Sequence, residues 1–160
     1  MADAVIRLAV PRDLDGMLDL YGHLNPDDPR PSRSAADAAW GALLASGLTS
    51  VFIAEVARRP VSSCTLVIVP NLTRDARPYG LVENVVTHAA HRRRGLGQAV
   101  LAAALQAAWA ADCYKVMLAT GSRQEATLRF YESAGFERGG KTFFQARRLG
   151  AASAGSGAGG

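Results

Sequence analysis

The sequence predicts an α/β (α+β) protein built on a mixed, mostly antiparallel central sheet with helices on both faces. Three observations carry this. Strand-like and helix-like segments alternate along the chain. Residues 51–57 and 61–69 are strand-like runs separated only by Arg58-Arg59-Pro60, and a strand–helix–strand–helix–strand succession follows them. The 160 residues, 49% of them hydrophobic, amount to one domain with enough apolar material for a full core. A net charge of +4 beside that apolar content excludes a disordered chain.

Each element has a local cause. Residues 5–9 alternate as a strand does. Pro11-Arg12-Asp13 opens a helix whose apolar face is Leu14, Met17, Leu18 and Tyr21, at the i, i+3, i+4, i+7 spacing. The prolines in Asn25-Pro26-Asp27-Asp28-Pro29 and at Pro31 make 22–33 a loop. Ser34 is the expected N-cap of a second helix carrying Ala36, Trp40, Leu43 and Leu44 on one face, ended by Ser46-Gly47. The hairpin at 51–69 is followed by a polar loop at 70–80, a strand at 81–87, a long helix at 96–111 and a strand at 114–119. A helix at 122–134 and a short last strand at 143–147 complete the order. Ser122-Arg123-Gln124-Glu125 has the form of a capping box, which makes Glu125 structural. Residues 1–149 are read as a single domain. Residues 150–160, all Gly, Ala and Ser, are read as a flexible tail.

Cys64 and Cys113 lie inside apolar runs, as core residues of a reducing compartment do, and Asp3, Arg7 and Arg12 interrupt any signal-peptide core. A cytoplasmic location is expected. Residues 95–111 carry no charge, but they fall short of a membrane span and include Gln98 and Gln106, so a buried helix and no membrane partner are expected. The basic balance rests on 16 arginines and 2 lysines, a compositional skew that does not by itself argue for nucleic acid.

The segment Arg92-Arg93-Arg94-Gly95-Leu96-Gly97-Gln98 follows a strand and opens a helix. A helix N-terminus carries about half a positive charge and several unpaired N–H groups. Stable helices put Ser, Thr or Asp there, with acids in the first turn. Here no such cap is present and three arginines crowd the positive end. That arrangement is unfavourable unless an anion sits in it. Gly95 and Gly97 leave the amides open, and with the arginines they predict a pyrophosphate site. The alternative is a solvated arginine run beside a Gly-rich turn. Valine at position 100 departs from the dinucleotide fingerprint, and the lack of a Lys-Ser/Thr pair excludes a P-loop.

Arg-x-x-Gly-x-Gly between a strand and a long helix resembles the acetyl-CoA signature of the GCN5-related N-acetyltransferases, the GNAT family. Leu81-Val82-Glu83-Asn84-Val85-Val86-Thr87 resembles the family's central strand, and Phe130-Tyr131-Glu132-Ser133-Ala134-Gly135-Phe136 its C-terminal motif. The resemblance covers roughly residues 6–144. It implies a GNAT-like acyl-CoA N-acyltransferase fold, acetyl-CoA as co-substrate, no metal, and acetyl transfer to a primary amine. The segment Arg92, Arg93, Arg94, Gly95, Leu96, Gly97 and Gln98 would bind CoA, the backbone amides of its last six residues holding the pyrophosphate. A bulged, splayed central strand would turn amides near Val85, Val86 and Thr87 toward the pantetheine arm and the acetyl carbonyl. Arg93 stands where many members have glycine. The asparagine that often precedes the C-terminal motif is absent, with Ser122 and Gln124 nearby.

Transfer to an amine requires a base for the ammonium, donors for the oxyanion and a proton for the thiolate. By the resemblance Tyr131 supplies the last as general acid; packing alone is the other account of it. Glu83 is the only carboxylate in the apolar run 80–90, and burial there would raise its pKa and suit it to be the base. The alternative is a strand-edge acid paired with Arg74 or Arg77. His88 and His91 are expected at the surface, Cys64 and Cys113 are not expected as nucleophiles, and no metal spacing is present.

The expected function is direct acetyl transfer, in a ternary complex, to a small-molecule amine. Asp27 and Asp28 either attract a cationic acceptor or form a solvated turn, and Asn84 contacts an acceptor or merely backbone. A homodimer is an expected assembly. The competing readings are a catalytically silent acyl-CoA-binding regulatory module and a nucleic-acid-binding domain using Arg92–Arg94. The latter lacks interleaved aromatics, and no nucleic-acid partner is expected.

Overall fold

The apolar, β-branched stretch in the middle of the chain folds back on itself, and the remaining strands line up beside it in chain order. The computed structural model describes residues 4–148. Its five strands are β1 (Val5–Leu8), β2 (Thr49–Val56), β3 (Arg59–Val69), β4 (Tyr79–Thr87) and β5 (Val116–Leu118), in spatial order β1-β2-β3-β4-β5. The first three pairings are antiparallel and the last is parallel, as expected of a mixed sheet. Ala57 and Arg58 form the β2–β3 turn with φ of 49° and 66°, the left-handed pair that matches strand twist in a two-residue hairpin. Pro60 falls inside β3 instead, opposite Glu55, where the ladder shifts register and a missing N–H is tolerated.

The helices are α1 (Leu14–Tyr21), entered through a 3₁₀ turn at Pro11–Asp13, α2 (Arg33–Ala45), the single turn α3 (Thr73–Ala76), α4 (Leu96–Ala110) and α5 (Glu125–Ser133). On one face Val100, Leu101, Ala104 and Ala108 of α4 close over Phe52, Cys64, Leu66 and Val82, with Phe130 and Tyr131 of α5 at the margin. On the other, Met17, Leu20, Ala36 and Trp40 cover Val51, Ile53 and Val86. The uncharged α4 is thus a core helix, and no described helix is long and apolar enough to cross a membrane.

Three expected termini differ. Ser32, not Ser34, caps α2, accepting from the Ala35 amide at 3.3 Å. The capping box at Ser122 does not form. α5 begins at Glu125 after Gln124, and the Glu125 carboxylate goes to the Arg129 and Arg138 guanidiniums, stronger partners than a backbone amide. Glu125 is structural all the same. The strand expected at 143–147 is absent, with Phe143 and Phe144 69% and 87% exposed. Strand propensity without a partner ladder does not hold five residues extended. The 150–160 segment lies outside the described residues.

An ion pair ties the sheet edge to α1. Arg7 donates to Asp13 at 2.7 and 2.8 Å and to Glu55, and the Val10 amide donates to Asp13 at 2.8 Å. Asp13 is only 3% exposed. Burial pushes its pKa up, but the Arg7 and Val10 hydrogen bonds outweigh this and leave it below the ordinary carboxylate value. Its stabilising contribution is therefore complete above the unfolded pKa of about 3.9 and is lost as pH falls through the lower folded value. Replacing Asp13 by Asn should cost about 3 kcal/mol at pH 7 by leaving Arg7 underpaired. Denaturant titrations at pH 7 and pH 3 check this: the deficit should shrink at pH 3, and a deficit equal at both pH values contradicts it.

Candidate active site

The site begins with how β4 is paired. Thr65 lies opposite Glu83 and Ser63 opposite Val86, so Cys64 alone faces two residues, Asn84 and Val85. This is a β-bulge, and Asn84 takes a φ of 51°, a left-handed conformation that asparagine tolerates. On its other side β4 pairs with β5 only at Gly80, Leu81 and Val82. From Glu83 onward the β5-facing side of β4 has no ladder partner among the described residues. A cleft of about 250 Å³ opens there, lined by Glu83, Asn84 and Val85 with Leu24 and Asn25 after α1, Leu118 at the end of β5, Ala119 to Gly121 after it, and Tyr131.

The end of the β4–β5 ladder sets the environment of Glu83. The side chain is exposed and lines the cleft, so the expectation of a buried acid is corrected. The expected alternative is not formed either. Arg77 pairs with Asp112 at 2.9 Å, and Arg74 stacks over the Tyr114 ring at 5.9 Å. Tyr131 is half-buried, edge-on to Phe130 with ring centroids 5.0 Å apart. Burial pushes its pKa above the ordinary 10, so the phenol carries its proton at neutral pH. The helix end that holds it is closed by Gly135 at φ 96°: the Gly135 amide donates to Glu132 at 3.0 Å and the Phe136 amide to Tyr131 at 3.1 Å.

The predicted anion cradle lies beyond the end of β4. Arg92, Arg93 and Arg94 are exposed, with the Arg92 Nε donating to the Thr87 carbonyl at 3.3 Å and Arg94 Nη1 3.2 Å from His91 Nδ1. Arg93 at φ 56° and Gly95 at φ 75° turn the chain into α4, whose N-cap has no side-chain cap and whose first turn holds no acid. By position the amides of Leu96, Gly97 and Gln98 have no intrahelical acceptor. These groups suit a pyrophosphate. The two glycines do different work. A side chain at Gly95 would meet open space, whereas one at Gly97 would stand 3.0 Å from Phe130 Cζ and 3.3 Å from Thr87 Oγ1. Gly97 is small for the packing of α5 on α4, a reason the sequence alone did not supply.

Of the predicted residues, the cleft gathers Glu83, Val85 and Tyr131. Val86 instead points into the α1–α2 core, and Thr87 Oγ1 is held by Ser62 Oγ at 2.8 Å. His88 and His91 are partly covered; the His88 ring lies 4.1 Å from that of His23, and desolvation first, then His23, pushes the His88 pKa down. Cys64 is buried, its pKa pushed up to about 12, with its Sγ 3.3 Å from the Val100 carbonyl. No described group of side chains could hold a metal ion. The sequence reading missed Leu24, Asn25 and the Leu118–Gly121 wall. A usable signal was there, since open α/β sheets bind ligands beyond the carboxyl ends of neighbouring parallel strands.

An open-sheet α+β fold with a parted strand pair and an uncapped, arginine-flanked helix start suits an acyl-CoA-using transferase. The sequence model of the acetyltransferase (GNAT) family matches residues 14–136. The chain is 34% identical over 136 residues to the glucosamine 6-phosphate N-acetyltransferase of Trypanosoma brucei brucei, covering 85% of this chain and 90% of that one. A solved acetyltransferase-type structure from Agrobacterium tumefaciens superposes with a TM-score of 0.86 at 49% identity, covering 90% of this chain and 99% of that one. The glucosamine-6-phosphate N-acetyltransferase of Arabidopsis thaliana shares the fold at a TM-score of 0.81 and 20% identity, covering 92% and 99%. The chain belongs to the GNAT family and is an acetyl-CoA-dependent N-acetyltransferase.

The glycine assignments predict a contrast. Gly95→Ala should fold normally with a stability loss of about 1 kcal/mol from the left-handed alanine. Gly97→Val should lose more, because Phe130 and Thr87 must both yield. Thermal melts of the two variants read this directly, and an equal or reversed ranking would refute it.

Proposed function

We propose that this enzyme moves the acetyl group of acetyl-CoA directly to the primary amine of a small polar molecule, with amino sugars the first class to test. The observation that carries the reading is one cleft, opened by the end of the β4–β5 ladder, lined by both a carboxylate and a protonated phenol. The loop framing it holds Asp27 and Asp28, both exposed and suited to a cationic acceptor. The amino-sugar choice is supported by the 34% identical trypanosomal relative.

In the sequence of steps, the acceptor ammonium gives a proton to Glu83, directly or through water, and the freed amine attacks the thioester carbon. The oxyanion takes a hydrogen bond from a β4 amide near Val85 or Val86, a donor no side-chain substitution removes. Collapse breaks the C–S bond, and the CoA thiolate takes the proton of Tyr131. The extra proton on the new amide nitrogen passes through water to the tyrosinate, and Glu83 releases its own proton to solvent. Arg92, Arg93 and Arg94 with the amides through Gln98 hold the pyrophosphate, and Thr87 borders the pantetheine arm. Direct transfer is favoured over an acyl-cysteine route because burial keeps Cys64 in its thiol form. A silent acyl-CoA-binding module would need neither Glu83 nor Tyr131. Residues 1–149 are taken as one catalytic unit, and the buried free thiols of Cys64 and Cys113 suit a cytoplasmic location.

Acetyl-CoA consumption across amines, amino acids, amino sugars and aminoglycosides tests the acceptor class. Turnover is expected with an amino sugar, and turnover confined to peptide amines would overturn the choice. Glu83→Gln should lower kcat/KM at pH 7 by about 10²-fold while acetyl-CoA affinity stays within about twofold. Tyr131→Phe should lower kcat by about tenfold, because a thiolate is already a fair leaving group. Wild-type rates in either variant would remove that residue from the mechanism.

A further inference from the structure

Two hydroxyls are buried on the face of β3 that meets α1, and no hydrogen bond uses either of them. Ser63 is 0% exposed and Thr65 5%, and neither Ser63 Oγ nor Thr65 Oγ1 has a partner among the described residues. A buried hydroxyl left unpaired costs about 1–3 kcal/mol. Valine would fill the space of Thr65 without that cost and suits a strand equally well. The hydroxyl therefore calls for an account outside the folding of β3.

Its neighbours supply one. Thr65 stands directly opposite Glu83 in the β3–β4 ladder. Side chains in that relation share one face with Cβ atoms about 5 Å apart, so a glutamate carboxylate can reach the opposing hydroxyl. The bulge begins at the next residue of β4, so the pairing at Glu83 is the last in-register contact before the cleft backbone departs from β3. On the α1 side the Tyr21 hydroxyl lies beside both Thr65 and Ser63. Burial pushes its pKa up and those two hydroxyls oppose the push, although neither closes a hydrogen bond of normal geometry with it.

We propose that Thr65 is a positioning residue for acceptor deprotonation: its hydroxyl donates to the Glu83 carboxylate and accepts from Tyr21, holding the base toward the acceptor amine. This rests on Glu83 being the base. The chain Tyr21 to Thr65 to Glu83 uses one donor and one acceptor at the threonine, and it ends on a charged acceptor, where a hydrogen bond is strongest. A bond to the ionised carboxylate favours that form, so the chain keeps Glu83 competent as a base toward lower pH.

Tyr131 of α5 lines the cleft beside Glu83, Tyr21 of α1 lies against Thr65, and Cys64 of β3 faces α4 behind them; burial raises the pKa of all three. None of them titrates between pH 5 and 8. His88, just past the end of β4, has its pKa pushed down by burial first and then by His23, so the test carries a Glu83 arm.

The experiment is the pH dependence of kcat/KM from pH 5 to 9 for wild type, Thr65→Val, Thr65→Ser, Tyr21→Phe and Glu83→Gln, with thermal melts of each. Thr65→Val should move the acid limb up by about one pH unit, a roughly tenfold loss near pH 6 that shrinks as pH rises. Its melt should show a protein fully folded at the assay temperature, so that the shift is not a loss of fold. Thr65→Ser should restore the wild-type limb, Tyr21→Phe should move it part of the way, and Glu83→Gln should abolish it. If Glu83→Gln abolishes the limb while the Thr65→Val profile superimposes on wild type, the positioning role is wrong and the base stands. If the limb survives in Glu83→Gln, the base assignment is wrong and the positioning role falls with it.

Discussion

The pairing of one strand governs this active site. β4 is held by β3 along its length but by β5 only as far as Val82, and the bulge at Asn84 turns the freed portion away from a regular ladder. Main-chain polar groups that a sheet would normally consume are left to face a cleft, where they can serve an extended acyl arm as a missing strand would. The side chains of that portion are sorted by the same event. Val86 goes to the α1–α2 core, Val85 packs toward α4 while edging the cleft, and Glu83 with Asn84 line the cleft.

The strand then runs through a short 3₁₀ turn into α4, so in the proposed binding mode the two ends of a long ligand would meet successive parts of one chain segment. At the far end the helix presents three amides without internal acceptors, about half a positive charge and three arginines, with no capping side chain to compete. The near and far ends are mechanically joined. Phe130 packs against Gly97 in the first turn of α4, and its ring is edge-on to Tyr131. In the proposed binding mode, a pyrophosphate at the start of α4 would also steady the wall that carries Tyr131.

Much of this was legible in the sequence because it depends on local chemistry. The cap-free, arginine-rich helix start and the hairpin between 51 and 69 are visible in residue types and spacing alone. What stayed hidden depends on register. Glu83 reads as a buried acid in an apolar run, and it is exposed because the β5 ladder stops at Val82, one residue short of it. The two glycines of the loop look alike in sequence, yet Gly95 answers a backbone angle and Gly97 a ring packed against it from α5. The 143–147 segment carries strand-prone residues, but a strand is a property of two segments, and no residue type announces whether a partner ladder is present. The unpaired hydroxyl of Thr65 is of the same kind, since its meaning comes from the residue opposite it.

The central claim is that the start of α4 holds a diphosphate while the parted β4 strand holds the acyl arm. Calorimetric titration of the full chain with acetyl-CoA and with S-acetylpantetheine, each at low and at moderate salt, tests it most directly. Acetyl-CoA should bind at least about 10²-fold more tightly than the truncated thioester, and that advantage should shrink as salt screens the arginines. Equal affinities, or an advantage indifferent to salt, would contradict the account.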